Sequence, residues 1–325
     1  MTLAGVVLII AAVVLLLSSV AMYVSRGRRM HGSWIYGSFF GSLTAIFLVE
    51  PIFYAVDAAL GGVNYLALAQ RAFLTATLLS MHIGIWRAMA PSQLKRPVIF
   101  ACVIAAASYG GQVMLFILAA PSFSSSGMRQ YESNPLVATY SLLMLAHLAT
   151  VAFSAMRLSV RYRPRLKSLR RRRSLAFVAL GSGFALAVAL IHATITLTDL
   201  VGSPPDILGT LERTFTASAA IVFALAIGIP TFPRWLGSAR KDFIARRELW
   251  NLCPVWAKLQ PEIDQYVIWP YRGRLMEIMS RDPAMRRHRR GVEIRDCFES
   301  DATLEGRLSE AELATIRTME VNTHA

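Results

Sequence analysis

The sequence predicts an all-α fold: a polytopic membrane protein with seven transmembrane helices, followed by a small helical tail. Composition is the first reason. Only 17% of the 325 residues are charged, whereas a soluble domain carries about 25%. The deficit lies in residues 1–235, the predicted transmembrane domain. Residues 236–325 are polar and rich in charge, so we expect them to form a separate cytoplasmic helical domain.

Seven apolar runs are the second reason, because each is long enough to cross a bilayer, which takes about 20 residues. They are about Leu3–Val24, Ser33–Leu60, Tyr65–Ala88, Val98–Ala120, Pro135–Met156, Ser174–Leu200 and Thr210–Thr231. Basic residues follow the first run and do not precede it. That order favours a retained helix with its N-terminus outside over a cleaved signal peptide.

Local signals predict where these spans bend and end. Proline removes a backbone hydrogen bond, so we expect a kink at Pro51 in the second span. Gly61–Asn64 predicts a tight turn into the third span. The small residues of Ala105–Gly111 allow close helix packing in the fourth span. Pro230 and Pro233 are expected to end the seventh span.

The distribution of basic residues predicts the orientation. Nine of the seventeen residues in Arg157–Arg173 are Arg or Lys, and such loops stay on the cytoplasmic side. With the N-terminus outside and the C-terminus inside, 31 of the 34 Lys and Arg residues are cytoplasmic. The exceptions are Arg71, Arg129 and Arg213. This pattern is typical of a multi-pass membrane protein.

The tail is predicted to contain three helices that begin near Ser238, Asp282 and Asp301. Aromatic and aliphatic residues supply a small core. They are Trp250, Leu252, Val255, Trp256, Leu259, Ile263 and Trp269.

Ionisable residues inside a membrane are costly, which makes them functional candidates. Glu50, Arg71 and His192 all lie roughly 10 Å inside the outer boundary at 1.5 Å per residue. They predict either a ligand-binding pocket or a structural Glu50–Arg71 ion pair. A secondary outer cluster lies nearer the surface. Its residues could belong to the same pocket, or they could simply occupy ordinary positions at the membrane interface. It consists of Asp57, Asp199, Glu212 and Arg213.

No catalytic motif is present, so we expect neither an enzyme, nor a cofactor, nor a metal site. The sequence contains no GxSxG, no HExxH, no phosphate-binding glycine loop and no CxxC pair. The cysteines Cys102, Cys253 and Cys297 do not form a pair outside the membrane, so no disulfide is expected.

Basic clusters predict the partners. Arg170, Arg171, Arg172 and Arg173 are expected to bind anionic lipid head groups, at about 1 kcal/mol per residue. Arg286–Arg290 is a second cluster of this kind. The absence of interleaved aromatic residues disfavours nucleic acid. A cytoplasmic protein bound through the tail and a second copy of the chain are further partners that the sequence allows.

Three stretches resemble a family of actinobacterial polytopic membrane proteins. They are VDAALGGVNYLALAQR (residues 56–71), RRRSLAFVALGSGFALAVALIHATITL (171–197), and a tail pattern made of ELWNLCPVWAKLQPEID (248–264) and MRRHRRGVEIRDCF (285–298). The family carries a transporter label and has a C-terminal domain of unknown function. The resemblance therefore implies small-molecule transport, and it carries over no substrate and no site residue.

Two functions follow from these features. Transport is the function that the family resemblance implies. A seven-helix sensor is the alternative, because an odd number of spans and an external N-terminus suit a receptor that signals through its cytoplasmic tail. A polar path through both halves of the membrane domain would favour transport. An outer pocket above a closed, apolar inner half would favour sensing.

Overall fold

A computed structural model describes residues 2–24, 32–62, 64–89, 95–119, 133–202, 205–263, 273–280 and 282–323. These residues are almost entirely helical and contain no strand. The α-helices are α1 (Leu3–Val24), α2 (Gly32–Phe47), α3 (Glu50–Ala59), α4 (Tyr65–Met89), α5 (Lys95–Ala119), α6 (Pro135–Tyr162), α7 (Leu169–Asp199), α8 (Asp206–Ile263), α9 (Arg274–Ile278), α10 (Pro283–Ser300) and α11 (Glu310–Thr323). The predicted loops at 25–31, 90–94 and 120–132 lie outside the described residues.

The chain divides into two compact units, Met1–Pro233 and Arg234–Ala325. The first unit contains the apolar helices. Among the described residues, six helices are long and apolar enough to cross a membrane, and α2 with α3 counts as a seventh if the bent pair is one span. This composition is that of a multi-pass membrane protein.

The second predicted span is two helices that meet at an angle of 90°. The bend predicted near Pro51 is therefore present, but it is a break between two helices and not a kink within one. Pro51 is in the first turn of α3, where its missing N–H leaves no helical hydrogen bond unmade. The break frees the Phe47 carbonyl of α2, and Gln70 Nε2 of α4 donates to it at 3.1 Å. A hydrogen bond from a neighbouring helix thus stabilises the break.

Helix α2 lies antiparallel to both of its neighbours. Ser19 Oγ of α1 donates to the Ile35 carbonyl at 3.1 Å. On the α4 side, the Trp34 ring packs on Gly84, and the Phe47 and Phe73 rings stack 6.0 Å apart at the other end of the contact. Helix α2 therefore follows the neighbouring helices for about 20 Å.

The turn predicted at Gly61–Asn64 is present. Gly61, Gly62 and Asn64 adopt positive φ angles of 97°, 68° and 58°, which glycine and asparagine tolerate best. Asp57 accepts hydrogen bonds from the Asn64 and Leu66 backbone N–H groups, each at 3.2 Å. The buried carboxylate thus caps the N-terminal end of α4.

Helix α8 does not end at Pro230 or Pro233, contrary to the prediction; it runs to Ile263. Proline at position 230 removes the N–H that would bond to the Ala226 carbonyl. Ser174 Oγ of α7 donates to that carbonyl at 2.6 Å. The hydrogen bond that Pro230 removes is therefore replaced from the neighbouring helix.

Most of the predicted loop Arg157–Arg173 is helical. Helix α6 extends to Tyr162, a 3₁₀ turn follows, and α7 begins at Leu169.

The second unit has a small apolar core. Its buried members are Leu252, Val255, Trp256, Leu259, Ile294, Cys297, Leu304, Leu308 and Ile316. Trp250 is not among them: it is 44% exposed, and the Arg274 guanidinium lies 3.6 Å from the centre of its ring. Trp269 and the side chain of Ile263 lie outside the described residues. The predicted core is thus correct for four of its seven residues and wrong for Trp250.

A buried ion cluster lies beside this core. Arg290 contacts Glu277 at 2.8 Å and Glu293 at 2.7 Å, and Trp256 Nε1 donates to Glu293 at 2.9 Å. Burial by itself lowers the pKa of Arg290, but the hydrogen bonds to Glu277 and Glu293 outweigh it and raise the pKa above its ordinary value. Arg286, Arg287 and Arg289 also pair with glutamates of this unit. The four arginines of the Arg286–Arg290 cluster thus pair with glutamates of their own unit, and lipid binding by this cluster stays a prediction.

Two helix starts in the tail differ in outcome. Asp282 caps α10 by accepting from the Met285 N–H at 3.0 Å, as predicted. Asp301 precedes a 3₁₀ helix, Ala302–Arg307, and accepts from the Thr303 N–H. The last α-helix begins only at Glu310, where Ser309 and Glu312 form a reciprocal capping box. Hydrogen bonds from Lys258 and from Ser309 lower the pKa of Glu312 from its ordinary value of 4.5 to about 2.

The account of Pro230 predicts how Ser174 contributes to stability. Ser174→Ala should lower the free energy of unfolding by about 0.5–1.5 kcal/mol, the range for a hydrogen bond between membrane helices. In a Pro230→Ala background the Ala226 carbonyl regains its helical N–H partner, so the same substitution should cost much less. Unfolding of the purified protein in detergent measures both. Ser182→Ala is the matched control on α7, because its hydroxyl has no partner in the described structure. Equal costs for Ser174→Ala in both backgrounds would contradict the explanation.

Candidate ligand-binding site

A cavity of about 380 Å³ lies among seven helices of the first unit: α1, α2, α3, α4, α6, α7 and α8. This volume is within the range of small-molecule binding pockets, which is about 300–1,000 Å³. The residues that line it divide into a polar set at one end and an apolar set along the rest.

The polar end, as we name it, is formed by six residues. They are Glu50, Gln70, Arg71, Tyr140, His192 and Glu212. Those on α4, α6 and α8 lie within about two turns of the helix N-terminus, and the one on α7 lies about two turns from its C-terminus. Helix α7 runs in the opposite direction to α6 and α8, so its C-terminal part lies beside their N-terminal parts. These positions therefore meet at one level of the bundle.

The apolar body of the cavity extends away from the polar end. It is lined by Leu74, Leu78, Met81, Leu145, Leu148, Val151, Phe223 and Ile227, with small residues between them. On α6 the lining runs from Tyr140 to Ala155, roughly 22 Å at 1.5 Å per residue. The cavity is therefore long, its charged residues lie at one end, and its body is mainly apolar with a few hydroxyls such as those of Thr77 and Ser182.

A packed cluster closes the other end. Its buried residues are Ile85, Ala155, Leu158, Val178 and Ala226, and the rings of Trp34, Trp86, Tyr162, Phe177 and Phe223 pack against them. We call this cluster the aromatic plug. Ala155 and Phe223 belong to both the plug and the cavity lining. Below the cavity the helices are thus filled by large apolar side chains.

The three principal residues predicted from the sequence, Glu50, Arg71 and His192, all line this cavity. The predicted Glu50–Arg71 ion pair, however, is not formed. Glu50 is the first residue of α3, just after the 90° break, and it lies 3.7 Å from Arg213 of α8. The Arg71 guanidinium lies 5.5 Å from the centre of the Tyr140 ring. Estimating depth along the helices thus singled out residues of one cavity, but it did not identify their neighbours.

His192 and Glu212 form a buried contact that the sequence did not predict as a pair. His192 Nδ1 and Glu212 Oε1 are 2.8 Å apart, and each side chain is 11% exposed. The contact joins α7 to α8 at the polar end. Both residues were candidates from the sequence, but in different groups, because Glu212 was assigned to the outer surface cluster.

The other members of that secondary cluster have different surroundings. Asp57 caps α4 and does not line the cavity. Asp199 is the last residue of α7 and is also outside the lining. Arg213 contacts the cavity only through its pairing with Glu50. The structure therefore brings one of the four, Glu212, into the cavity wall.

Arg170, Arg171, Arg172 and Arg173 are exposed in the first turns of α7. About 30 Å of helix separates them from His192. No carboxylate of the described residues pairs with them. They are free to meet anions in solution or at a membrane surface, but they take no part in the cavity.

Two features of this site were missed from the sequence. One is Tyr140, which lies beside Arg71 and is 1% exposed; a tyrosine in an apolar run gives no signal of its own. The other is the apolar body, whose residues look like ordinary lipid-facing or core positions until the helices are packed.

Comparison with protein-family models, with curated proteins and with solved structures gives no significant match. The family resemblance seen in the sequence stays an expectation. In the described part of the chain, no group of three or more His, Cys, Asp or Glu residues is arranged to hold a metal ion.

The His192–Glu212 contact predicts a double-mutant result. His192→Leu should lower the free energy of unfolding by about 1–3 kcal/mol, because Glu212 loses a buried hydrogen-bonding partner. The His192→Leu, Glu212→Leu double variant should lose less than the sum of the single variants, since an apolar pair leaves no buried carboxylate behind. Unfolding in detergent measures the three values. Strictly additive costs would show that the two side chains do not interact.

Proposed function

We propose that this chain is a membrane receptor that binds a small amphiphilic molecule in its cavity and signals through its C-terminal unit. The single observation that carries the proposal is the shape of the cavity: polar at one end, apolar along its body, and closed by the aromatic plug. A transport pathway for a polar solute needs polar groups in both halves of the protein. In the described structure the charged residues that line the cavity lie at one end only, and the rest of the lining offers hydroxyls such as those of Thr77 and Ser182.

In this proposal the protein crosses a bacterial plasma membrane seven times, with its N-terminus outside. The broken pair α2–α3 is the second span, because α2 lies antiparallel between α1 and α4 and follows them for most of its length. The excess of Lys and Arg in the resulting cytoplasmic segments supports this orientation. The polar end of the cavity is then near the outer surface, and the plug is near the cytoplasm.

The C-terminal unit is the proposed output. It has its own apolar core and its own buried ion cluster, so it can present a defined surface to a protein partner. Exposed apolar side chains on and beside α9 are candidates for that contact. They are Leu275, Met276 and Met279. Arg170–Arg173 would bind anionic lipid at the inner surface.

Transport is the second candidate, and one structural observation favours it besides the family resemblance. Discontinuous helices line the binding sites of many transporters, and the α2–α3 break contributes Phe47, Leu48 and Glu50 to the cavity wall. Transport would require the aromatic plug to separate during the cycle, whereas sensing would not.

The orientation has a direct test in single-cysteine variants. In a chain with its three native cysteines replaced, Gly202→Cys at the end of α7 should react with a membrane-impermeant maleimide added to intact cells. Ser168→Cys at the other end of α7 should react only after the membrane is opened. Gel shifts measure both. The reverse pattern, or equal labelling of the two, would rule out the proposed orientation.

Filling the cavity tests the receptor proposal. Ala152 lines the cavity and is buried, so Ala152→Phe should occupy the ligand's space. Native mass spectrometry should detect a bound small molecule on the purified wild-type protein and none on this variant. Ala146→Phe is the matched control, since Ala146 is exposed on the outer face of the same helix. Identical ligand content in wild type and Ala152→Phe would contradict the proposal.

Hydrogen exchange separates the two functions. For a receptor, returning the extracted ligand to ligand-depleted protein should change the exchange of α10 and α11 amides in wild type but not in Ala152→Phe. For a transporter, the same ligand should accumulate in proteoliposomes, and exchange in the tail should stay unchanged. The second result would replace sensing by transport as the function.

A further inference from the structure

The charges at the polar end of the cavity are unequally paired. Glu50 lies 3.7 Å from Arg213, and Glu212 lies 2.8 Å from His192. Each carboxylate therefore has a basic neighbour. Arg71 also lines the cavity, but within the described residues no carboxylate lies within 4 Å of its guanidinium. Its neighbour is the ring of Tyr140.

A cation at this depth is costly in a membrane protein unless an anion or a polar partner accompanies it. An aromatic ring at 5.5 Å supplies only part of that stabilisation. The guanidinium carries a planar set of donors that matches a carboxylate or a phosphate, and it can donate two hydrogen bonds in parallel. Arg71 thus has the chemistry of an anion-binding residue, and it lies on the wall of a cavity.

A second, independent observation points to the same place. Tyr140 is 1% exposed and lines the cavity, and the Arg71 side chain is the polar group beside its hydroxyl. A guanidinium can only donate hydrogen bonds, so the hydroxyl proton of Tyr140 has no acceptor among the described residues, whereas buried hydroxyls are normally hydrogen-bonded. An anionic group placed at Arg71 could accept from the guanidinium and from this hydroxyl together.

We propose that the ligand of the cavity is an anionic, single-chain amphiphile. Its carboxylate or phosphate binds Arg71 and Tyr140, and its hydrocarbon chain lies along the apolar body toward Ala155. This inference rests on the proposed function, in that it needs the cavity to hold a ligand, and it adds the charge and class of that ligand. The apolar lining extends roughly 22 Å from Tyr140 along α6, which suits one long acyl chain.

Neutral and cationic amphiphiles fit the same observations less well. A cationic head group would need an unpaired carboxylate, and both carboxylates of the polar end contact basic residues. A neutral head group would leave Arg71 without a counter-ion. The charge of the head group is therefore the property that a binding experiment should vary.

Equilibrium binding to the full-length protein in nanodiscs of zwitterionic lipid tests the proposal. Palmitate, hexadecanol and hexadecylamine share one chain and differ in head-group charge. Wild type should bind palmitate at least about 10-fold more tightly than hexadecanol, and hexadecylamine no better than hexadecanol. Lysophosphatidic acid in a parallel series shows whether a phosphate is preferred to a carboxylate.

Variants assign the preference to Arg71. Arg71→Gln should weaken palmitate binding by about 10- to 100-fold, the loss expected for a hydrogen bond to a charged group, and should change hexadecanol binding less than about twofold. Arg87→Gln is the matched control, because Arg87 is on the same helix but not in the cavity wall. It should leave both affinities unchanged. Tyr140→Phe should weaken the binding of palmitate by a smaller factor and leave the binding of hexadecanol unchanged. This variant tests the proposal if Arg71→Gln fails to fold.

The outcomes separate the two proposals. If wild type binds palmitate and hexadecanol equally, or if Arg71→Gln and Tyr140→Phe leave palmitate affinity unchanged, the anionic assignment is wrong. The cavity would still be a binding site if Ala152→Phe abolished hexadecanol binding. If wild type binds none of these amphiphiles, the proposed function and the ligand class fail together.

Discussion

Backbone hydrogen bonding is the constraint on which the rest of this structure depends. Water has little access to an N–H or carbonyl group buried among apolar helices, so an irregular position in such a helix must be satisfied by the protein itself. Three such positions are satisfied here by side chains from elsewhere in the chain. Gln70 bonds the Phe47 carbonyl at the α2–α3 break, Asp57 bonds N–H groups at the start of α4, and Ser174 bonds the carbonyl that Pro230 leaves free.

These local solutions shape the cavity. The break after Phe47 turns α3 by 90° away from α2, which brings Glu50 to Arg213 and not to Arg71. Arg71 then remains on the wall beside Tyr140. The continuation of α8 past Pro230 keeps Ala226 packed in the aromatic plug. A polar end where Arg71 has no carboxylate partner among the described residues, next to an apolar end packed with aromatic rings, is thus a consequence of where the helices break and where they do not.

The sequence predicted the apolar helices and the position of each residue along them. It predicted much less well which residues contact one another. Hydropathy located the starts of the apolar helices within about five residues but not the end of α8, and the three residues singled out by their depth, Glu50, Arg71 and His192, all line one cavity. Depth alone could not show that Glu50 contacts Arg213, because it does not tell which side of each helix a residue faces. Pro230 was expected to end a helix, since its compensating partner, Ser174, is 52 residues away in the chain. Trp250 was placed in the core because Arg274, the cation that stacks on its ring, is 24 residues away in the chain and gives no local signal.

Covalent labelling by a photoactivatable fatty acid, with a diazirine on its chain and mapping by mass spectrometry, tests the central claim most directly. The claim is that a single-chain amphiphile occupies the cavity. Labels on apolar-body residues such as Leu78, Leu145 and Val151 are the predicted result, with competition by unlabelled palmitate. Labels confined to exposed residues of the helix bundle, such as Ile99, Val103 and Leu190, and unaffected by competitor, would contradict it.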